Sequence, residues 1–110
     1  MPIMAIYRNR EVDPETYNRY RALLPIKPLP EGAIFHLVAF GDDGLLGVDV
    51  WESEAQLRAY EDTKIKPAVK QLGKAWVEPT VLQIHELWAA DAASGHNRLA
   101  PPPQPTSMPA

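Results

Sequence analysis

The sequence predicts an α+β domain whose elements follow the order β-α-β-β-α-β. Two apolar runs flank the turn Gly41-Asp42-Asp43-Gly44, which is typical of a β-hairpin, and a helix-start pattern stands before and after this hairpin. At each end of the domain, a run of residues that favour strands completes the order. The chain has 110 residues, 45% of them hydrophobic and 23% charged, which fits one globular domain.

The first strand and the first helix are predicted close to the N-terminus. Ile, Met and Tyr side chains dominate residues 2–8 and favour a strand. The Asp13 carboxylate can accept hydrogen bonds from the free amides of a first helical turn, and Pro14 needs no donor there. A helix therefore begins at this pair and ends before Pro25.

The central hairpin has strands predicted over residues 33–40 and 45–51. Both runs are rich in Val, Leu, Ile and Phe, and the glycine-bounded acidic turn between them is the strongest hairpin signal in the chain. If Phe40 pairs with Leu45 across the turn, the pairing of every other residue in the hairpin follows.

The second helix is predicted to begin after Ser53, which forms a capping box with Gln56. An apolar stripe continues from there to a natural stop at Gly73. Pro67 lacks an amide donor, so we expect a kink or a second helical piece near Lys66.

A last strand is predicted over residues 80–88, which completes the split βαβ, or ferredoxin-like, order. In this arrangement both helices cover one face of the sheet. The strands carry apolar residues at both odd and even positions, since Ile34 and Val38 alternate with Phe35 and Leu37. Both faces of the sheet therefore require burial. A second copy of the same sheet is the simplest cover, and the sequence therefore predicts a homodimer.

Residues 91–110 differ in composition from the predicted domain at residues 1–90. They are rich in Pro, Ala and Ser and hold only Leu99 and Met108 as sizeable apolar side chains, so they cannot bury enough surface to offset the entropy of ordering. A flexible tail is predicted there, in which His96 is solvated. A polyproline II ligand for a partner is the alternative for its Pro-Pro-Pro-Gln-Pro stretch.

Charge and composition argue against several classes of partner. The net charge is -3 without a basic cluster, which argues against nucleic acid. Apolar runs fall short of the roughly 18 residues of a spanning helix, and a signal-peptide pattern is lacking, so a cytoplasmic protein that does not bind membranes is expected. The lack of cysteine excludes disulfides and thiolate chemistry.

The hairpin and the second helix resemble those of the dimeric α/β barrel superfamily. The resemblance is carried by Phe-His-Leu-Val-Ala-Phe at residues 35–40, Gly-Val-Asp-Val-Trp-Glu-Ser-Glu at residues 47–54 and Ile-Lys-Pro-Ala at residues 65–68. Within the superfamily, the chain is most similar to small antibiotic-biosynthesis-monooxygenase-like proteins. This resemblance implies a two-sheet barrel formed by dimerisation. It leaves the activity open, because the superfamily includes cofactor-free oxygenases, haem-degrading enzymes, isomerases and decarboxylases.

His36 stands inside an apolar strand, where an imidazole needs a polar partner. The hairpin register places it opposite Asp49 on the same face of the sheet. A carboxylate beside an imidazole fixes its tautomer, which suits a general base. Both residues are therefore predicted to be catalytic, with His36 enclosed beside a pocket between sheet and helices. One alternative is a core histidine whose pairing only satisfies its hydrogen-bonding groups. The other is a histidine at the dimer interface.

Aromatic side chains supply the predicted substrate-binding surface. Trp51, Tyr17 and Tyr60 are candidates because ring stacking can orient a planar phenol while tyrosine hydroxyls bond its oxygens; ordinary core packing is the alternative for each. His85 is a candidate for the same cavity from the last strand, at the opposite sheet edge from His36. The histidines lack metal-ligand spacing, so neither a metal site nor a cofactor is predicted.

Two functional hypotheses follow. The first is a homodimeric barrel that acts on an aromatic or polyketide-like small molecule without a cofactor, as a monooxygenase or an isomerase, with His36 as the base. In the oxygenase version the deprotonated substrate itself supplies electrons to oxygen. The alternative is a non-catalytic small-ligand-binding or stress-associated dimer.

Overall fold

A computed structural model of the protein describes residues 1–24 and 27–88 and confirms the α+β class. The predicted tail at residues 91–110 lies outside the described residues. No helix in the described part of the chain is long and apolar enough to cross a membrane. The elements are β1 (Ile3–Asn9), α1 (Pro14–Leu23), β2 (Ala33–Gly41), β3 (Gly44–Trp51), α2 (Glu54–Tyr60), a π-helical segment (Glu61–Ile65), α3 (Lys66–Gln71) and β4 (Thr80–Gln83).

The four strands form one antiparallel sheet in the order β2-β3-β1-β4. This order is compatible with a ferredoxin-like fold. It places β3 and β1 at the centre and β2 and β4 at opposite edges, as expected from the sequence. The candidate base His36 therefore belongs to an edge strand.

The hairpin pairs in the predicted register. Phe40 lies opposite Leu45, and His36 lies opposite Asp49. A register shift occurs only before Phe35, so it leaves this pair intact. The two side chains accordingly share the face of the sheet that the helices cover.

Gly44 closes the turn that sets this register. Its φ of 89° lies in the left-handed region that favours glycine. A Cβ at this position would come within 2.5 Å of the Arg10 Cα atom, so a larger residue has no room. The backbone at Gly44 thus helps to hold His36 opposite Asp49.

Both predicted helix caps are confirmed. The Asp13 carboxylate accepts a hydrogen bond of 2.8 Å from the Thr16 amide, and the Ser53 hydroxyl accepts one of 3.2 Å from the Gln56 amide. Each cap satisfies an amide that has no partner within its helix.

Pro67 is accommodated by a change of helical pitch. The π-helical segment precedes α3, and the Lys66 amide donates to the Glu61 carbonyl five residues earlier. The predicted second helical piece near Lys66 is therefore confirmed. The wider turn sits where a proline would otherwise break the hydrogen-bond ladder.

The last strand is shorter than predicted. The prediction over residues 80–88 is wrong in its length, because β4 ends at Gln83, which pairs with Ile3 at the start of β1. One more backbone bond joins the Ile84 amide to the Pro2 carbonyl, after which β1 offers no further partner. His85 consequently lies beyond the strand.

The two faces of the sheet have different surroundings. On the covered face, Leu57 of α2 packs against a buried cluster of Ile3, Ala5 and Trp51. The opposite face, called the open sheet face here, is mostly apolar, although Arg8 stands at one end of it. Its larger apolar residues are Met4, Ile6, Phe35, Leu37, Leu46, Val48, Val50 and Leu82, and Ala39 and Thr80 belong to the same face.

Candidate functional site

A cavity of about 140 Å³ lies between the covered face of the sheet and helices α1 and α3. Residues 72–77, after α3, form part of its wall. The wall is largely aliphatic and aromatic. Its aromatic members are Tyr7, Tyr17, Tyr20 and Trp76.

His36 and Asp49 both line this cavity and form a hydrogen-bonded pair. The His36 Nδ1 and Asp49 Oδ1 atoms are 2.5 Å apart. The predicted pairing is thus confirmed, whereas the predicted enclosure of His36 is wrong. Its side chain is 43% exposed, because β2 is an edge strand, while the Asp49 side chain is only 13% exposed.

Trp51 and Tyr60 lie beneath this pair rather than in the cavity wall. Trp51 is buried, and its Nε1 donates a long hydrogen bond of 3.5 Å to the second carboxylate oxygen of Asp49. The Tyr60 ring packs against the Trp51 ring at a centroid distance of 5.5 Å. Both predicted binding residues therefore support the core, and Trp51 also orients Asp49.

Tyr17 is the predicted binding residue that does reach the site. Its hydroxyl lies 3.1 Å from the His36 Nε2 atom, on the side of the ring away from Asp49. It belongs to helix α1, whose first turn is capped by Asp13. The structure thus brings Tyr17, His36 and Asp49 together in one line of hydrogen bonds.

Arg21 completes this line and was missed by the sequence analysis. Its Nη2 donates to the Tyr17 hydroxyl at 2.8 Å and lies 3.5 Å from the His36 Nε2 atom. Its Nη1 donates to the Leu24 carbonyl at 2.8 Å, which anchors the guanidinium. The signal available in the sequence is the spacing of four residues between Tyr17 and Arg21 on one helix. Asp49, His36, Tyr17 and Arg21 are called the His36 network below.

The hydrogen bonds of the His36 network fit a neutral imidazole. Arg21 is only a donor, so the Tyr17 oxygen accepts from it and the Tyr17 O–H can donate to Nε2 of His36. Nδ1–H of the same ring donates to Asp49. A neutral imidazole with a basic Nε2 is the form that suits proton abstraction.

A second network meets the cavity through Tyr7. The Tyr7 hydroxyl donates to Glu61 Oε2 at 2.8 Å, and Arg58 Nη1 donates to Glu61 Oε1 at 2.8 Å. Burial, followed by the hydrogen bond to Glu61, raises the pKa of Tyr7 far above its usual value, so the phenol stays protonated. Tyr7, Glu61 and Arg58 are called the Glu61 network below.

Glu61 is a fully buried carboxylate that the sequence analysis did not identify. It lies four residues after Leu57 and four before Ile65, both of which are buried. A glutamate on an apolar helical stripe was therefore the available signal. The π-helical segment begins at this residue, and such segments are frequent at functional sites.

Trp76 connects the cavity wall to the Glu61 network. Its Nε1 donates to Glu78 at 2.6 Å, and Glu78 also accepts from Arg58 at 3.3 Å. The Trp76 and Tyr7 rings meet edge to face, with centroids 6.4 Å apart. These contacts hold residues 72–77 against the sheet.

His85 is the predicted binding residue that the structure does not bring to the cavity. It is exposed beyond the end of β4 and is absent from the cavity wall. Within residues 1–24 and 27–88, no three His, Cys, Asp or Glu side chains are grouped so that they could hold a metal ion.

Comparisons with models of known protein families and with curated protein sequences find no match for this chain. The resemblance to the dimeric α/β barrel superfamily therefore stays a prediction.

Proposed function

We propose that this protein is a homodimeric barrel that binds an aromatic small molecule and performs acid–base chemistry on it without a cofactor, as an isomerase or a monooxygenase. The observation that carries the proposal is the His36–Asp49 pair, whose imidazole faces an aromatic-walled cavity. A positioned base beside a mainly apolar pocket is the arrangement expected for proton abstraction from a bound organic molecule.

In this reaction His36 Nε2 takes a proton from the substrate. Asp49 holds Nδ1–H and thereby keeps the lone pair of Nε2 directed away from itself, towards Tyr17 and the ligand. In an isomerisation the proton returns to a different atom of the same molecule. In an oxygenation the deprotonated substrate donates electrons to molecular oxygen, which is the co-reactant.

The test of the chemistry is deuterium exchange into phenolic and enolic compounds in heavy water, with oxygen uptake measured alongside. We expect exchange by the wild-type protein, loss of exchange in His36→Ala and normal exchange in the control His85→Ala, since His85 lies outside the cavity. A wild-type protein that binds such compounds but catalyses neither exchange nor oxygen uptake would overturn the enzymatic proposal.

Non-catalytic ligand binding is the second candidate, and one observation favours it. Both ring nitrogens of His36 already have hydrogen-bond partners, Asp49 on one side and Tyr17 on the other. A satisfied histidine is also what a purely structural pair requires. The exchange experiment separates the two candidates.

The homodimer is proposed because of the open sheet face. Three of its side chains are markedly exposed in the single chain, namely Phe35 at 43%, Leu37 at 39% and Leu82 at 48%. A contiguous apolar face of this kind marks an interaction surface. The same face on a second copy is apolar too, so the two would bury each other without desolvating charges at the centre.

Leu37→Glu is the variant that tests the dimer. A glutamate in the middle of a sheet-to-sheet interface would be buried without a partner, so we expect monomers in sedimentation experiments at micromolar concentration. Leu23→Glu is the matched control, because Leu23 is equally exposed, at 38%, but belongs to α1. A wild-type protein that sediments as a monomer would overturn the dimer.

A further inference from the structure

We infer that the cavity takes a single aromatic or enolic ring with one acidic hydroxyl group, and that Tyr17, backed by Arg21, holds the oxygen anion formed when this hydroxyl loses its proton. This inference rests on the proposed function and adds to it the size and the charge of the ligand.

The size follows from the volume of the cavity. At about 140 Å³ it is close to the roughly 150 Å³ of an apolar protein cavity that accommodates benzene. Fused three-ring compounds occupy more volume than one ring does. The polyketide-like end of the expected substrate range is therefore disfavoured.

Aromatic side chains stand on two walls of the cavity. Tyr7 and Trp76 stand edge to face in the wall formed by β1 and residues 72–77. Tyr17 and Tyr20 contribute to the wall formed by α1, with ring centroids 5.7 Å apart. Aromatic side chains on both elements provide stacking and edge contacts for a planar ligand.

The charge follows from Arg21. Its guanidinium is anchored at the Leu24 carbonyl and lies 5.5 Å from the centroids of the Tyr17 and Tyr20 rings. Among the described residues it forms no ion pair with a carboxylate. A fixed positive charge that lacks a protein counter-ion favours an anion beside it.

The proton transfer can be written with these groups alone. The ligand O–H bond breaks, a new N–H bond forms at His36 Nε2, and the electron pair stays on the ligand oxygen. The Tyr17 hydroxyl, which already accepts from Arg21, turns its own proton from His36 to that oxygen. The resulting oxyanion accepts from the Tyr17 hydroxyl beside the imidazolium, and the Arg21 guanidinium, which lies behind Tyr17 and outside the cavity wall, stabilises it through that hydroxyl.

Calorimetric titration with matched ligands tests size and charge separately. We expect p-cresol to bind about tenfold more tightly than toluene, which lacks only the hydroxyl, and more tightly than the two-ring 2-naphthol. Val69 lines the cavity, so Val69→Ala enlarges the cavity. This variant should bind 2-naphthol more tightly, while p-cresol binding stays nearly unchanged.

Arg21→Met tests the role of the guanidinium, with Arg19→Met as the control on the exposed side of the same helix. The probe is p-nitrophenol, whose visible phenolate band reports ionisation of the bound ligand. At a pH where free p-nitrophenol is mostly protonated, we expect the wild-type protein and Arg19→Met to generate this band. Arg21→Met and Tyr17→Phe should generate much less of it at equal occupancy.

Each contrary result has its own meaning. Equal affinity for toluene and p-cresol would contradict recognition of the ligand hydroxyl and its anion. It would leave aromatic binding intact. Tighter binding of 2-naphthol than of p-cresol by the wild-type protein would contradict the inference that the ligand has a single ring. Failure to bind any of these compounds would overturn the inference and the proposed function together.

Discussion

The His36 network and the Glu61 network both meet the cavity, but they differ in burial. The Glu61 carboxylate is wholly inaccessible and both its oxygens are bonded, to Tyr7 and to Arg58. The His36 side chain is nearly half exposed at an edge strand. A buried, satisfied network is costly to disturb and so holds the scaffold, whereas an accessible one can exchange a protein partner for a ligand.

The largest expected effect is on turnover, from His36→Ala. Loss of a positioned general base costs about 10²- to 10⁴-fold in rate. The free energy of unfolding should fall by about 1 to 2 kcal/mol, because the variant leaves one oxygen of the largely buried Asp49 carboxylate without its donor. Kinetic assays and urea unfolding on the same variant check both statements. A stability loss as large as that expected for Glu61→Ala would erase the contrast between the networks.

Glu61→Ala should lower the free energy of unfolding by about 3 kcal/mol, the largest stability effect among these variants. It removes a buried carboxylate and leaves the Tyr7 hydroxyl without its acceptor. The control is Glu54→Ala, since Glu54 also accepts from Arg58 but is exposed, and its loss should cost less than about 1 kcal/mol. Urea unfolding that ranks Glu54 above Glu61 would contradict the structural role of this network.

Tyr7→Phe should change how stability depends on alkaline pH. Burial, and then the hydrogen bond to Glu61, raises the pKa of Tyr7 above its ordinary value of 10.0. Above about pH 10 the unfolded chain releases the Tyr7 proton, whereas the folded chain keeps it. Stability is therefore fully present below about pH 10 and falls above it, by up to about 1.4 kcal/mol per pH unit for this group.

Urea unfolding on either side of pH 10 measures this dependence. We expect a shallower decline in Tyr7→Phe than in the wild-type protein. Burial raises the pKa of Tyr20 in the same direction, so some decline should remain in the variant. Identical slopes in the two proteins would show that Tyr7 ionises as readily in the folded chain as in the unfolded one.

Tyr17→Phe is expected to have the smallest effect on stability, within about 0.5 kcal/mol, because its hydroxyl bonds a half-exposed histidine. Tyr7→Phe at neutral pH should cost about 1 to 2 kcal/mol, since it strands one oxygen of a buried carboxylate. The same atom is removed from each network, so the difference in unfolding free energy compares the two directly. A larger loss from Tyr17→Phe would reverse the assignment of scaffold and site.

The hairpin shows how much of the site could be predicted. A glycine-bounded turn and two apolar runs were enough to place His36 opposite Asp49, because register in a hairpin follows from the turn. The exposure of His36 could not be predicted in the same way. It depends on how much of the edge strand α1 covers.

The binding residues show where prediction failed. The chemistry of Trp51 and Tyr60 predicts a role in binding, yet Trp51 faces the core under Asp49 and Tyr60 packs against it. Their positions depend on α2 lying over β3. The sequence pattern places His85 on the last strand, but this strand ends two residues earlier, because β1 begins at Ile3 and has no partner for His85.

The sequence by itself determined the α+β class, both helix caps, the second helical piece at Lys66 and the His36–Asp49 pair, because these depend on residues close together in the chain or joined by one tight turn. Only the tertiary structure decided that Arg21 meets His36, fifteen residues away, and that Tyr7 meets Glu61, fifty-four residues away. Such contacts depend on the position and rotation of each helix on the sheet. Many side-chain contacts set that packing together, and no local pattern encodes it.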